Sequence, residues 1–397
     1  MINDPLGIIM VLLVIEGAIL YAAGLNRAKR LFKYVPAMFW IYFLPMLANT
    51  IGLIPPKENL AGEVITPVYG AITTYCLPAC LVLLLISVDL RAIYRLGAVA
   101  IAVMLAGSLG TLVGGPVVML IFGRWLPPEI WSGIGALSAS WMGGSSNMIA
   151  VAESVGTPSK IYGAMIVVDT IVPYAWMGLL IFLSAHQARF DRWNRAKSDI
   201  LDDLKRRADS GAAAKSEPIT LRHFVVMFAV AAAGTYASLQ LAGLLPVIPQ
   251  VVSTSAWAII LATALGLAGS FTRVRRLERF GASTIGYGLL YFVLASIGAR
   301  TSLTNLADAP LMIVVGIVWV LIHGAFILAA GRLFRAPMAL LAAASQANMG
   351  GTASAPVVAQ IYHSGLAPVG LLLAVLGSIV GTYLGIFCAH ICRFLSS

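Results

Sequence analysis

Hydroxyls, an amide and a glycine pair interrupt an otherwise apolar run at Ser138-Ala139-Ser140-Trp141-Met142-Gly143-Gly144-Ser145-Ser146-Asn147. The same break recurs 207 positions later as Ser345-Gln346-Ala347-Asn348-Met349-Gly350-Gly351-Thr352-Ala353-Ser354, matching Ser138 to Ser345, Met142 to Met349 and each glycine in turn. A Gly-Gly break inside a hydrophobic segment frees backbone N–H and C=O groups, and at bilayer depth protein or a bound solute must satisfy them. Helix arms that stop there aim N–H groups at an anion or C=O groups at a cation, and glycine lets the solute reach the backbone. The candidate substrate-binding residues are Ser140, Gly143, Gly144, Ser145, Ser146, Asn147, Gln346, Asn348, Gly350, Gly351, Thr352 and Ser354. Ser138, Asn147, Ser345 and Thr352 add oxygen ligands for a hard cation, so sodium at the tips is expected. The plainer reading of one such break is close helix packing through small residues; two equivalent breaks flanked by amides favour a binding site.

Ionisable side chains inside apolar segments are costly and are read as functional by default. Asp169 lies in the middle of Met165-Ile166-Val167-Val168-Asp169-Thr170, and its counterpart in the second half is Leu376. A carboxylate on one side of the repeat suits a single cation or proton site, weighed against a structural role beside a buried hydroxyl or arginine. Arg300 could grip a carboxylate through paired hydrogen bonds, although an ordinary arginine at a helix end is the plainer reading. Glu153 stands either in a cavity or at its mouth, and Glu16 pairs across a subunit interface or with a nearby polar group. His323 reads as a hydrogen-bonded helix residue rather than a proton relay.

These residues sit in a chain made for lipid. Of 397 residues, 60% are hydrophobic and 11% charged, with a mean hydropathy of +0.92, which excludes a water-soluble globular domain. The net charge of +10 comes from basic residues in short loops between apolar spans, so it reports orientation and not a nucleic-acid partner. Stretches long enough to cross lie near 6–23, 36–54, 67–88, 96–122 and 161–184, then near 221–244, 254–269, 282–298, 310–330 and 369–390. The first follows Asp4 instead of a basic region, so a retained helix is expected and not a cleaved signal. Whether the broken stretches, about 130–156 and 336–363, cross or turn back is decided by the basic residues. With both as re-entrant hairpins and the N-terminus outside, 21 Lys and Arg face the cytoplasm and 5 face out; with both crossing, the split is 8 against 18. Hairpins leave five crossings per half, so residues 221–397 enter inverted relative to residues 1–184. Gly163 and Gly178, matched by Gly370 and Gly385, extend the repeat. Residues 185–220 form a cytoplasmic linker with one surface helix, solvated rather than bound to headgroups. The expected fold is an all-α polytopic membrane protein of two inverted repeats, each with five transmembrane helices and one glycine-broken re-entrant hairpin.

Cys76 with Cys80 and Cys388 with Cys392 stand at helical spacing inside spans and read as packing residues, with neither a disulfide nor a metal. The sequence has no phosphate-cradling loop with a lysine, no zinc spacing and no nucleophile elbow. Neither an enzyme nor an ATP-driven pump is expected, and no cofactor beyond a coupling ion.

At Trp141-Met142-Gly143-Gly144-Ser145-Ser146-Asn147 and Asn348-Met349-Gly350-Gly351-Thr352 the chain resembles the YjcL-type family of uncharacterised bacterial integral membrane proteins, and the resemblance extends over nearly its whole length. More distantly, the paired breaks resemble the re-entrant Gly-Gly-x-Gly loops of the sodium-coupled glutamate and citrate symporters. Ser146 and Ala353 stand where the last glycine would, a departure that bears on substrate identity more than on architecture. The resemblance implies a homodimeric, cation-coupled secondary transporter of the inner membrane, in which a core holding the hairpins slides against a static scaffold. The expected function is import of a small anionic organic solute, an organic acid or peptide-like compound, with sodium or protons as coupling ion. A cation/proton antiporter exchanging at Asp169 is the alternative, and a membrane scaffold or receptor is the third reading.

Overall fold

Asp4 accepts a hydrogen bond from the Gly7 N–H (2.7 Å) and Pro5, which has no N–H, fills the first helical position, so the first span starts with two of its end positions already provided for. The structure, a computed structural model, describes residues 2–28, 31–32, 37–56, 66–197, 200–201, 217–247, 253–300, 309–363 and 366–396, and its regular elements there are all helical. In the first half they are α1 (Pro5–Gly24), α2 (Ala37–Thr50), α3 (Val68–Ile86), α4 (Leu90–Arg95), α5 (Ala98–Phe122), α6 (Ile130–Gly143), α7 (Ser145–Val155) and α8 (Ser159–Leu183). The short α9 (Gln187–Asn194) leads to α10 (Leu221–Leu244), α11 (Thr254–Ser270), a 3-10 helix (Arg273–Phe280) and α12 (Ala282–Ala299). The chain ends with α13 (Ala309–Phe334), α14 (Met338–Met349), α15 (Gly351–Tyr362) and α16 (Ala367–Ser396).

Each apolar stretch read from the sequence falls on one of these helices. Among the described residues, eight helices are long and apolar enough to cross a membrane, or nine if α11 is counted with the 3-10 helix that leaves it at 92°. α2, with 14 residues, and α11, with 17, lie at or below the roughly 17–25 residues of a typical span. Pro36, Lys57 and linker residues 202–216 lie outside the described residues.

The helices gather into two compact units, and each unit draws on both halves of the sequence. Unit one comprises Met1–Ser87, Thr157–Thr170 and Ser216–Pro310. At its centre α3 packs against α10, α11 and α12, while α12 also packs on α2. Small residues make this possible: Gly266 lies against Val82 and Leu85, Gly286 against Leu83 and Leu84, and Gly298 against the Tyr42 carbonyl.

Unit two comprises Val88–Gly156, Ile171–Lys215 and Leu311–Ser397, and so holds both broken segments. There α16 runs along α6, with Gly135 on Ala389 and Gly385 on Ala139. The beginning of the expected solvated linker is docked onto this unit. α14 starts after Pro337 without a side-chain cap of its own, and its Met338 N–H donates to Asp191 Oδ1 of α9 (2.8 Å). Asn194, fully buried at the end of α9, donates to the carbonyls of Gly331 (3.0 Å) and Ala336 (2.8 Å).

Candidate functional site

Both breaks have the same local construction. α6 closes with the Gly144 N–H donating to the Ser140 carbonyl (2.7 Å), Gly144 takes φ +89°, and α7 restarts at Ser145. α14 closes with the Gly350 N–H donating to the Gln346 carbonyl (2.8 Å), Gly351 takes φ +61°, and α15 runs on from there. A side chain in the left-handed region costs about 1–2 kcal/mol, which is why the second glycine of each pair is glycine. The first is glycine for lack of room: a methyl group at Gly143 would collide with Asn147 Nδ2, and one at Gly350 with Ser354 Oγ. The two breaks meet, since a methyl group at Gly351 would lie 3.9 Å from Gly144 Cα.

Behind the tips, polar side chains fix the arms. Asn147 donates to the Gly143 carbonyl (2.7 Å) and accepts from the Thr382 hydroxyl of α16. Asn348, fully buried, donates to the carbonyls of Ala344 and Met104 (each 3.1 Å) and accepts from Ser108 of α5 (2.8 Å). Gln346 Nε2 donates to Ser354 Oγ (2.8 Å). Ser345 accepts from Trp176 Nε1 (2.8 Å) and lies 3.0 Å from His323 Nε2, while His323 Nδ1 faces the Gly107 carbonyl at 2.9 Å. A carbonyl can only accept, so Nδ1 carries the proton and the Ser345 hydroxyl donates to Nε2; this chain of bonds is complete with a neutral ring. Ser138, the counterpart of Ser345, is buried, and its hydroxyl has no hydrogen-bond partner among the described residues. The residues 207 positions from Trp176 and His323 are Tyr383 and Pro116, so the groups that satisfy Ser345 are not repeated around Ser138.

At the tips themselves the chain opens. Gly144, Ser145, Ser146, Gly350, Gly351 and Thr352 are half-buried between buried arms. The hydroxyls of Ser145, Ser146 and Thr352 have no hydrogen-bond partner among the described residues. The first N–H groups of α7 and α15 have no carbonyl earlier in their own helices, and neither helix has a side-chain cap. Two helix N-termini, each equivalent to roughly half a positive charge, therefore share one spot with three hydroxyls. The C-termini of α6 and α14 end at the same breaks with the opposite partial charge, so the tips offer N–H and O–H donors to an anion and carbonyl oxygens to a cation. The amide oxygens of Asn147 and Asn348 already accept hydrogen bonds, which leaves hydroxyls and backbone carbonyls as the oxygen ligands for sodium.

Arg300 and Asp169 fall in unit one. Arg300 Nη2 donates to the Tyr69 carbonyl (2.9 Å) and to the Thr73 hydroxyl, so the guanidinium is directed at α3. Asp169 is half-buried within α8, where Pro173 has no N–H to give to the Asp169 carbonyl four residues back. Glu16 and His323 are buried and Glu153 is half-buried. Thr382, Ser108 and Trp176 hold the site together yet give little sequence signal, beyond a glycine beside a hydroxyl at Gly107-Ser108 and Gly381-Thr382.

Residues 10–395 match the profile of DUF819, described as a protein of unknown function. The chain belongs to the DUF819 family. "Uncharacterized membrane protein YjcL" of Bacillus subtilis (strain 168) is 27% identical to it over 354 residues, 86% of each chain. With the helices described above, that similarity makes this DUF819 chain an integral, multi-pass membrane protein.

Proposed function

We propose that unit two is the carrying body of a cation-coupled secondary transporter, and that the meeting point of the two breaks binds a small anionic organic solute. One observation carries the reading: the breaks that start two uncapped helices meet at Gly144 and Gly351, and the hydroxyls of Ser145, Ser146 and Thr352 beside them have no hydrogen-bond partner among the described residues. Backbone N–H groups at helix starts are anion ligands that need no fixed positive charge, which suits a site within a membrane. In this reading both breaks are re-entrant hairpins related as inverted repeats, and the gathering of both into one unit supports elevator-type alternating access. Matched positive φ at Gly144 and Gly351 supports the duplication.

A cation taken up with the solute offsets its charge and lowers the cost of crossing hydrocarbon. Asp169, a half-buried carboxylate on α8 one residue before the chain passes from unit one into unit two, is the candidate to take it. Sodium and protons both fit that chemistry, and import by a dimer in the inner membrane completes the proposal. The test is a thermal-shift screen of the purified protein against citrate, glutamate and short peptides, with and without sodium. A ligand of the folded state raises Tm. The expected result is a shift with one carboxylate class that disappears in Ser145→Ala/Thr352→Ala. Shifts that survive in that variant would remove the tips from the site. In proteoliposomes, Asp169→Asn should abolish ion-driven accumulation of that carboxylate, whereas dissipation of a pH gradient by added cation without solute would favour the antiporter.

A further inference from the structure

The corner after α11 has a second chemistry. Arg273–Phe280 forms a 3-10 helix that leaves α11 at 92°. α11 packs alongside the spans α3 and α10, so a segment at right angles to it runs along the membrane surface. Thr272 fixes the corner by accepting the Val274 N–H (3.2 Å), and Phe271 beside it is 76% exposed, an aromatic ring where interfacial anchors are found.

Three residues per turn make side chains three apart eclipse, so Arg-Val-Arg-Arg-Leu-Glu-Arg-Phe sorts into stripes. Val274, Leu277 and Phe280 form one, and all three are partly buried, with Phe280 stacked on His223 of α10 at 3.5 Å between ring centroids. Arg273, Arg276 and Arg279 form another, and all three are exposed. Their Cα atoms rise about 6 Å per turn, so the guanidinium groups stand in a row. The one acid of the segment is diverted: Glu278 accepts the Ser283 N–H (2.9 Å) and hydroxyl (2.7 Å) at the start of α12. Glu217 comes near through its backbone, donating to the Arg279 carbonyl (2.8 Å), yet the three arginines make no ion pair among the described residues. An apolar stripe turned inward, a basic stripe turned outward and an acid spent elsewhere leave the positive charge for something outside the protein.

We infer that Arg273, Arg276 and Arg279 form a docking surface for anionic phospholipid headgroups, holding unit one to the leaflet that the basic loops face. Phosphate is what a row of guanidinium groups recognises, by charge and by paired N–H donors. The surface is independent of the solute site, so its test uses no transport reading.

Full-length protein in a neutral detergent is titrated with short-chain phosphatidylglycerol, with short-chain phosphatidylcholine and with inorganic phosphate, following Tm. Phosphatidylglycerol is expected to stabilise the protein at far lower concentration than the other two. Arg273→Gln/Arg276→Gln/Arg279→Gln should weaken the phosphatidylglycerol midpoint roughly a hundredfold, and Arg276→Gln alone about fivefold, which gives a reading if the triple variant fails to fold. Equal response to phosphatidylcholine, equal response to inorganic phosphate, or an unchanged midpoint in Arg276→Gln would each overturn the inference.

Discussion

At the scale of single residues, the polar groups of the two breaks divide into struts and free groups, and the division makes opposite predictions. Asn348 has both N–H groups and its oxygen engaged by buried partners on α5 and α14. Removing such a side chain leaves those partners buried and unsatisfied, at about 1–3 kcal/mol. Asn348→Leu should therefore lower the thermal midpoint of the purified protein whether or not solute is present. Ser145 and Thr352 make no hydrogen bond to any described residue, so Ser145→Ala and Thr352→Ala should leave that midpoint nearly unchanged and weaken only solute binding. The reverse pattern would mean that the amides are the ligands and the hydroxyls the struts. Residue types alone mark all of these positions as candidates, but not this division. The partner of Asn348 lies 240 residues away at Ser108 and that of Asn147 lies 235 residues away at Thr382, and spacing along the chain carries no record of either.

At the scale of helices, the sequence is far more legible. Apolar length places the spans, because a helix bathed in lipid must be apolar nearly all round, and the glycine pairs place the breaks. The illegible elements are the ones decided by tertiary contact. α9 looks solvated in a charged linker, and Asp191 and Asn194 tie it to α14 and its approach. The turn of 92° after α11 leads into a segment with four arginines that hydropathy reads only as a loop. The meeting of the two breaks is likewise invisible in one dimension, and it has a direct test. A side-chain carbon at Gly351 lies 3.9 Å from Gly144 Cα, which holds the two Cα atoms to at most about 5.4 Å, while one at Gly144 faces open space, so thiols at the two positions are within reach of a short linker. In a background without the native cysteines, Gly144→Cys/Gly351→Cys should be joined by a short bis-thiosulfonate linker, and reductant should release the link. Absence of the link in protein that folds would separate the breaks and remove the site built on their contact.

At the scale of the molecule, halves and units obey different physics: the halves follow from the proposed duplication of the sequence, and the units from packing. The chain passes between units within α8 at Thr170–Ile171, close to Pro173, where the helical hydrogen-bond ladder is already interrupted. Orientation then rests on charge, because basic residues in short loops stay on the cytoplasmic side. In the proposed arrangement, which gives the split of 21 against 5, each break enters and leaves by the same face, the first from outside and the second from the cytoplasm. Glu129 and Lys160 flank the first break and Leu333 and Pro368 the second, and all four are exposed. Single cysteines at Glu129 and Lys160, again without the native thiols, should react with an impermeant maleimide added to intact cells. Cysteines at Leu333 and Pro368 should react only in inverted vesicles. A flanking pair that splits between the two sides would turn its break into a full crossing, reverse the orientation of every loop that follows it, and leave the basic residues facing the wrong water.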